Sequence, residues 1–505
     1  MVTAYDHQKI VIDNLLKDET VYFSILLVKG HINRTNNFTE NQNDIITVEN
    51  SSQYSSWPII NKTFKCLVEL KIGFNNITFQ HNQDKIDLQI TYKPRISPFS
   101  VTPLYIICKD HNGCFQAPAK SDNSINNACA KIALGAKLIQ CLTAEKLYEQ
   151  GYGRKTFQLE SDSNLDVPEC FTFYSNLSVS AAKTMEEEEL WTYFGREIMT
   201  SHLSSSSRKY FGFLSCTEWQ SLGGGKGQVR AHAALGGGGL ALFGTGCLHT
   251  WPSKVEEILP CFLNDTQVDT NFLMDDSCHR GTYGACFSTT LGAACHELGH
   301  TFDLGHSNQG IMSRGFDNIH LVFLAFHPET PYGCTNTSTP KNISQKSTVR
   351  FTNNLNIKCS VGPPINNNID MYTPLVNRKT RETDLDNNLT NLRYKFEKHE
   401  DDQTHWSPSC AAMLAFHRWF NNPSENSKAP SRKSLSYDKL RNILTGRFGI
   451  RVIELRGDDG LVLNSWQFPG AKLREQFFIP KQLVNNAQFL VAEDTEGNLI
   501  KLKLN

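Results

Sequence analysis

The 505-residue sequence is short of several features that would assign it a class at once. It has almost no net charge, with 50 Lys and Arg against 51 Asp and Glu. That balance gives no electrostatic case for a nucleic-acid partner or for an anionic membrane surface. No stretch approaches the ~18 consecutive apolar residues of a transmembrane helix, so none is expected. No C-x-x-C pair occurs, and the fifteen cysteines are odd in number and scattered. Such usage suits free thiols in a reducing compartment better than a disulfide framework. The start, MVTAYDHQKIVIDNLLKDE, lacks a basic region followed by an apolar run, so no signal peptide is expected. Ten N-x-S/T sequons then read as chance matches in an Asn-rich chain, and a cytoplasmic location is the expectation. A phosphate loop is excluded too. Gly223-Gly-Gly-Lys226-Gly227 has glycine where Ser or Thr must follow the lysine.

What is present is the composition of a globular protein, 39% apolar and 20% charged, long enough for two or three domains. Residues 1–100 read as a small β-sandwich, with strands at Val21–Val28, Phe64–Ile72, Ile77–His81 and Lys85–Tyr92. Gly73–Asn76 reads as a turn, and the Asn-rich stretch between the first two strands reads as loop. Near Val101 the pattern changes to alternating strand and helix. Strands are expected at Leu104–Cys108, Lys155–Leu159 and Tyr210–Ser215, and helices at Ser124–Gln150 and Glu186–Thr200. The glutamates that open the second helix suit its positive end better than a metal. Residues 328–403 are polar and read as an insertion, followed by a helix at Trp406–Phe420 and a linker at Asn422–Ser434. Residues 436–505 carry two hairpin signals, one around Gly457-Asp-Asp-Gly460, and read as a small β domain. The fold class expected is therefore α+β, a catalytic domain at 101–425 flanked by β domains.

The organising stretch is Leu291–Met312, LGAACHELGHTFDLGHSNQGIM. His296, Glu297 and His300 form H-E-x-x-H, and residues four apart share one helix face. Two imidazoles so placed chelate Zn²⁺ at about 2.0–2.1 Å each. A straight helix cannot bring His306 to the same ion, so the chain must turn back, and Gly305 is the residue expected to allow it. Three nitrogen ligands leave a fourth position open, which marks a catalytic rather than a structural zinc, one per chain. Glu297 projects beside the metal, placed to take a proton from the bound water and return it. Ser288, Thr289 or Thr290 is expected to cap the helix. Cys278, His279 and Cys286 lie close in sequence, but without a matching second pair they read as loop and helix-start residues.

This string resembles the metzincin metallopeptidases, whose signature is H-E-x-x-H-x-x-G-x-x-H followed by a Met-turn. His296, Glu297, His300, His306 and Met312 match it. Asp303 stands at the usual glycine position, and Asp is among the residues best able to take a left-handed conformation there. The wider string is similar to a eukaryotic family classed as zinc metallopeptidases, and the short step from His306 to Met312 resembles archaemetzincins. The resemblance implies a mixed sheet supporting the active-site helix, a substrate wall at Ser313–Asp317, and Met312 as an apolar floor under the imidazoles. It also implies an edge strand that sits above the zinc and pairs with an extended substrate. That role falls on Gly238, Gly239, Leu240, Ala241 and Leu242, within Gly238–Gly244; the alternative for this segment is a loop followed by a buried strand. The expected function is a zinc-dependent endopeptidase acting on peptide or protein substrates. The alternative is a zinc-containing scaffold of low or no activity that binds partners through its β domains.

Overall fold

The computed structural model describes residues 10–33, 44–326, 403–421 and 434–504, apart from Ser52, Leu165, Gly224, Gly225 and Ala471. The expected insertion at 328–403 and the linker at Asn422–Ser434 lie almost wholly outside the described residues. The molecule is α+β, with several sheets and one layer of helix on each face of the central one. No helix among the described residues is long and apolar enough to cross a membrane.

The central sheet has five strands, in the spatial order Phe171–Tyr174, Ser100–Ile107, Arg208–Leu214, Leu240–Gly244 and Ala234–Gly237. Neighbours run parallel except the last pair, which forms an antiparallel hairpin across Gly238 and Gly239. Period-two alternation sorts each strand between two cores. Leu104, Ile106, Leu214, Leu240 and Leu242 face one side, against Leu190, Trp191, Phe194 and Ile198 of the helix Glu187–Thr200. Tyr105, Ile107, Phe211, Phe213, Ala241 and Phe243 face the other, where the helices Ile125–Glu149 and Tyr283–Thr301 pack. Ser124 caps the long helix by accepting from the Asn127 amide. In the Glu187–Thr200 helix, Glu186 is the cap and its amide donates to the Glu189 carboxylate, so the acid run serves the helix start as expected.

Residues before the central sheet form two smaller sheets. One joins Ile10–Ile12, Ile25–Ile32 and Thr63–Glu69, and the other joins Glu19–Val21, Asp84–Tyr92, Gly73–His81, Ile45–Asn50 and Gln53–Pro58. Four expectations need correction here. Val21–Val28 is broken by a bend, and its two halves enter different sheets. Gly73–Asn76 belongs to a strand, with the Asn75 side chain bonding the Lys71 and Gly73 carbonyls to form the turn before it. The polar stretch expected to be loop contains Ile45–Asn50 and Gln53–Pro58, because half-buried strands need only alternate residues apolar. Lys155–Leu159 contributes a single bridge, Val101 to Leu159, rather than a strand.

After the described site residues, the helix at Trp406–Phe420 is shorter than expected, Pro408–Phe416, capped by Ser407. It packs on the last sheet, whose long central strand Ile443–Arg456 pairs with Leu435–Asp438, Val462–Gln467, Arg474–Phe478 and Phe489–Asp494. Val452 and Val491 on the near face of that sheet join the core that contains the site helix. Ile453, Leu455 and Leu490 on the far face build a separate core.

Candidate metal centre

The helix Tyr283–Thr301 carries the H-E-x-x-H residues, and almost every position along it is buried. It begins earlier than expected: Thr282 is the cap, accepting from the Ala285 amide, while Ser288, Thr289 and Thr290 lie inside the helix. Its small residues admit neighbouring backbone at contact distance. A Cβ on Gly292 would lie 2.0 Å from the Phe316 carbonyl oxygen, and one on Gly236 of the edge strand 1.9 Å from that of Glu297. Glycine is required at both positions because backbone, unlike a side-chain tip, cannot move aside.

The helix ends in a reversal that the sequence only half discloses. The Asp303 amide donates to His300 and the Leu304 amide to Gly299, and Asp303 has φ of 62°. These are the paired bonds of a Schellman turn with aspartate in the left-handed position usually held by glycine. Gly305 is not in that conformation. It is small for another reason: a Cβ there would stand 2.7 Å from both the Arg456 Nε and the Gly460 carbonyl oxygen.

The reversal brings His306 back onto the helix. His300 Nε2 lies 3.1 Å from His296 Nε2 and 3.1 Å from His306 Nε2. Each Nδ1 faces a backbone carbonyl: His296 donates to Ile311 at 2.7 Å, His300 to Leu304 at 2.9 Å and His306 to Asp459 at 3.1 Å. A carbonyl only accepts, so each Nδ1 carries a proton, and in a neutral ring each Nε2 then presents its lone pair. Three converging lone pairs repel one another unless a cation lies between them. Tetrahedral zinc at ~2.05 Å would set its nitrogen ligands about 3.3 Å apart, close to the spacing found. The donor set therefore fits the ion. Burial lowers the His300 pKa well below the usual histidine value, and the neighbouring His296 and His306 lower it further. This is the sole cluster of three or more His, Cys, Asp or Glu with metal-binding geometry among the described residues.

Around the three imidazoles the packing is apolar and tight. Phe316 lies edge-on to His296 with ring centroids 5.3 Å apart. Met312 is fully buried, and its sulfur would sit 2.8 Å from a Cβ on Gly299, between the two helix ligands in sequence. Glu297 is 8% exposed, and its backbone lies against the edge strand at Gly236. Behind the turn, Asp303 Oδ2 is 3.8 Å from His417 Nε2. Burial would raise the Asp303 carboxyl, but His417 and Lys209 outweigh it and hold the pKa at about 2. Lys209 itself donates to the Thr301 and Gly238 carbonyls.

Residues 9–385 match a family described as "Putative peptidase family". This chain belongs to that family. It is 28% identical to a protein of Schizosaccharomyces pombe described as "Putative zinc metalloproteinase", over 62% of this chain and 54% of that one. It is 27% identical to a Saccharomyces cerevisiae protein of the same description, over 62% of this chain and 48% of that one. The chain thus spans about half the length of these two fungal relatives. Among solved structures, catalytically inactive OgpA from Akkermansia muciniphila, in complex with an O-glycopeptide, aligns over 81% of this chain and 92% of that chain. Its TM-score is 0.40 at 11% identity, a likeness below the level at which two folds are equated.

The segment expected to align a substrate is placed differently from the expectation. Leu240, Ala241 and Leu242 lie in a strand paired on both sides, and the Gly238 and Gly239 carbonyls already accept from Lys209 and Tyr210. This is the buried-strand alternative. The sheet's edge is Ala234–Gly237, one strand earlier in sequence. Cys278 and His279 occupy a loop with positive φ, and Cys286 faces Asp275, so these three build no metal site. His417 is buried beside Asp303, as a structural histidine. Two contributors had no sequence signal as such: Asp459, whose carbonyl orients His306, and Arg456, whose Nη2 donates to the Asp303 carbonyl at 2.6 Å. The turn Gly457–Gly460 was visible as a turn, but not what it would touch.

Proposed function

We propose that this chain is a zinc-dependent endopeptidase of the metzincin type, with His296, His300 and His306 holding one zinc and Glu297 as general base. The observation that carries the reading is the convergence of three Nε2 atoms whose tautomers are fixed by backbone carbonyls. Zinc bound there would polarise a scissile carbonyl and acidify the water that attacks it. Glu297 takes the proton of that water and delivers it to the leaving amine. Met312 is the apolar floor of a Met-turn, and Phe316 with the rest of Ser313–Asp317 forms the wall beside the substrate side chain. The strand Ala234–Gly237, at the sheet's edge and against the Glu297 backbone, aligns an extended substrate through its outward main-chain groups. The positive φ of Asp303 favours a working peptidase over a low-activity scaffold, since the departure from glycine costs the turn none of its geometry.

The test is metal analysis with peptide cleavage on the same preparation. Purified protein should contain about one zinc per chain and cleave an unstructured peptide library. A chelator should abolish cleavage and added zinc should restore it. A folded protein that takes up no zinc, or cleavage that chelation leaves intact, would overturn the reading.

A further inference from the structure

The third histidine of the candidate site is held from the far end of the chain. His306 forms a parallel bridge with Leu461: its amide donates to the Gly460 carbonyl at 3.1 Å, and the Val462 amide donates to its carbonyl at 2.9 Å. Its ring Nδ1 donates to the Asp459 carbonyl, 153 residues away in sequence. The turn that supplies these groups is itself fixed. Asp459 Oδ1 accepts from the Leu461 amide at 3.0 Å, and Gly460 has φ of 76°. On the strand leading into the turn, buried Arg456 pairs with the buried Glu454 carboxylate at 2.5 Å and ties the strand to the Asp303 carbonyl. Gly305 fills the remaining gap, with no room for a side chain between Arg456 and the Gly460 carbonyl. The Nδ1 partner of His300, Leu304, lies in the helix's own reversal, and that of His296 is Ile311, five residues beyond His306; neither partner belongs to the last sheet.

We propose that the turn Gly457–Leu461 of the last sheet is the positioning element for the third metal ligand, so that docking of that sheet and capture of the metal are thermodynamically linked. Asp459 and Gly460 act here through His306 and touch no substrate. The proposal rests on the zinc reading above. Without the turn, the segment after Asp303 keeps its reversal, but the His306 ring loses the partner that fixes its tautomer and direction. Loss of such an outer partner of a metal-binding histidine costs on the order of 10–100-fold in metal affinity. Linkage is reciprocal, so the metal must also tighten the turn.

The experiment uses the full chain. Zinc affinity is measured by competition with a chromophoric chelator for wild type, for Asp459→Ala/Gly460→Ala, for Asp459→Asn, and for Leu440→Ala. Leu440 is 96% exposed in the same sheet's Asp438–Ile443 connection and serves as the control. The double variant should bind zinc on the order of 10–100-fold more weakly, while its metal-free unfolding temperature falls by only about 2–4 °C, the shift expected of alanine at positive φ. Asp459→Asn keeps the side-chain acceptor for the Leu461 amide and should restore wild-type affinity; Leu440→Ala should not change it. A second measurement needs no variant: hydrogen exchange of residues 457–466 in wild type should slow on adding zinc. Equal zinc affinity in the double variant, or exchange in that segment indifferent to zinc, would overturn the proposal while leaving the zinc reading standing. A wild-type chain that binds no zinc would overturn both.

Discussion

At the scale of single residues, the reversal that brings His306 back onto the helix turns on Asp303. The H-E-x-x-H pair and His306 could be read directly from the string, because ligand chemistry depends on residue type and helical spacing. Which residue would make the reversal could not, because φ at Asp303 and at Gly305 is decided by what packs against the turn. Asp303 takes the left-handed conformation and Gly305 supplies the close approach. Asp303→Asn should keep the turn, whereas Asp303→Val should cost about 1–2 kcal/mol for forcing a β-branched residue to positive φ, read by denaturant unfolding. The charge has its own signature. The folded pKa of Asp303, about 2, lies below the usual carboxylate value because His417 and Lys209 oppose and exceed the effect of burial. Its contribution is therefore present above pH ~4 and lost as pH falls through about 2. Unfolding of wild type and Asp303→Asn across that window should show wild type the more stable above it and the two converging below. A constant difference at all pH would show that the carboxylate charge is not what matters.

At the scale of elements, the sequence disclosed helices better than sheet order. The long helix Ile125–Glu149 and the helix Glu187–Thr200 fell within a residue of the spans expected for them, Ser124–Gln150 and Glu186–Thr200. The strand at the sheet's edge did not. Leu240–Gly244 is the more apolar of the two hairpin strands and is interior for that reason, while Ala234–Gly237, small and glycine-rich, closes the sheet. Pairing partners lie far apart in sequence, so a local pattern marks a strand without saying which neighbours it has. The close fit of edge strand to site helix gives an expected outcome. Gly236→Ala and Gly292→Ala should each destabilise by about 1–3 kcal/mol, since a Cβ meets backbone oxygen at each. Gly239→Ala, with nothing within 4 Å of a Cβ, should be close to neutral. Equal effects at all three would contradict the packing described.

At the scale of the whole molecule, the candidate metal site is assembled from two separated stretches. The site helix gives two of the three converging imidazoles, the turn after it the third, and the last sheet the carbonyl that aims the third. The short hairpin signal around Gly457-Asp-Asp-Gly460 was legible as a turn, yet its contact with His306 was not, because no local pattern encodes a partner 153 residues distant. The core shows the same continuity: Val452 and Val491 of that sheet pack in the cluster that includes Leu291, Leu298 and Met312. The last sheet therefore has a structural part in the centre that its sequence did not assign.

The most direct measurement of the central claim compares zinc-loaded wild type with Glu297→Gln on one peptide library, with zinc content determined for both. In the proposed mechanism Glu297 is the general base and no metal ligand, so the variant should retain about one zinc per chain. Its cleavage should fall by on the order of 10²–10⁴-fold, the contribution of a positioned acid–base group. Undiminished cleavage by the zinc-loaded Gln variant would contradict the account.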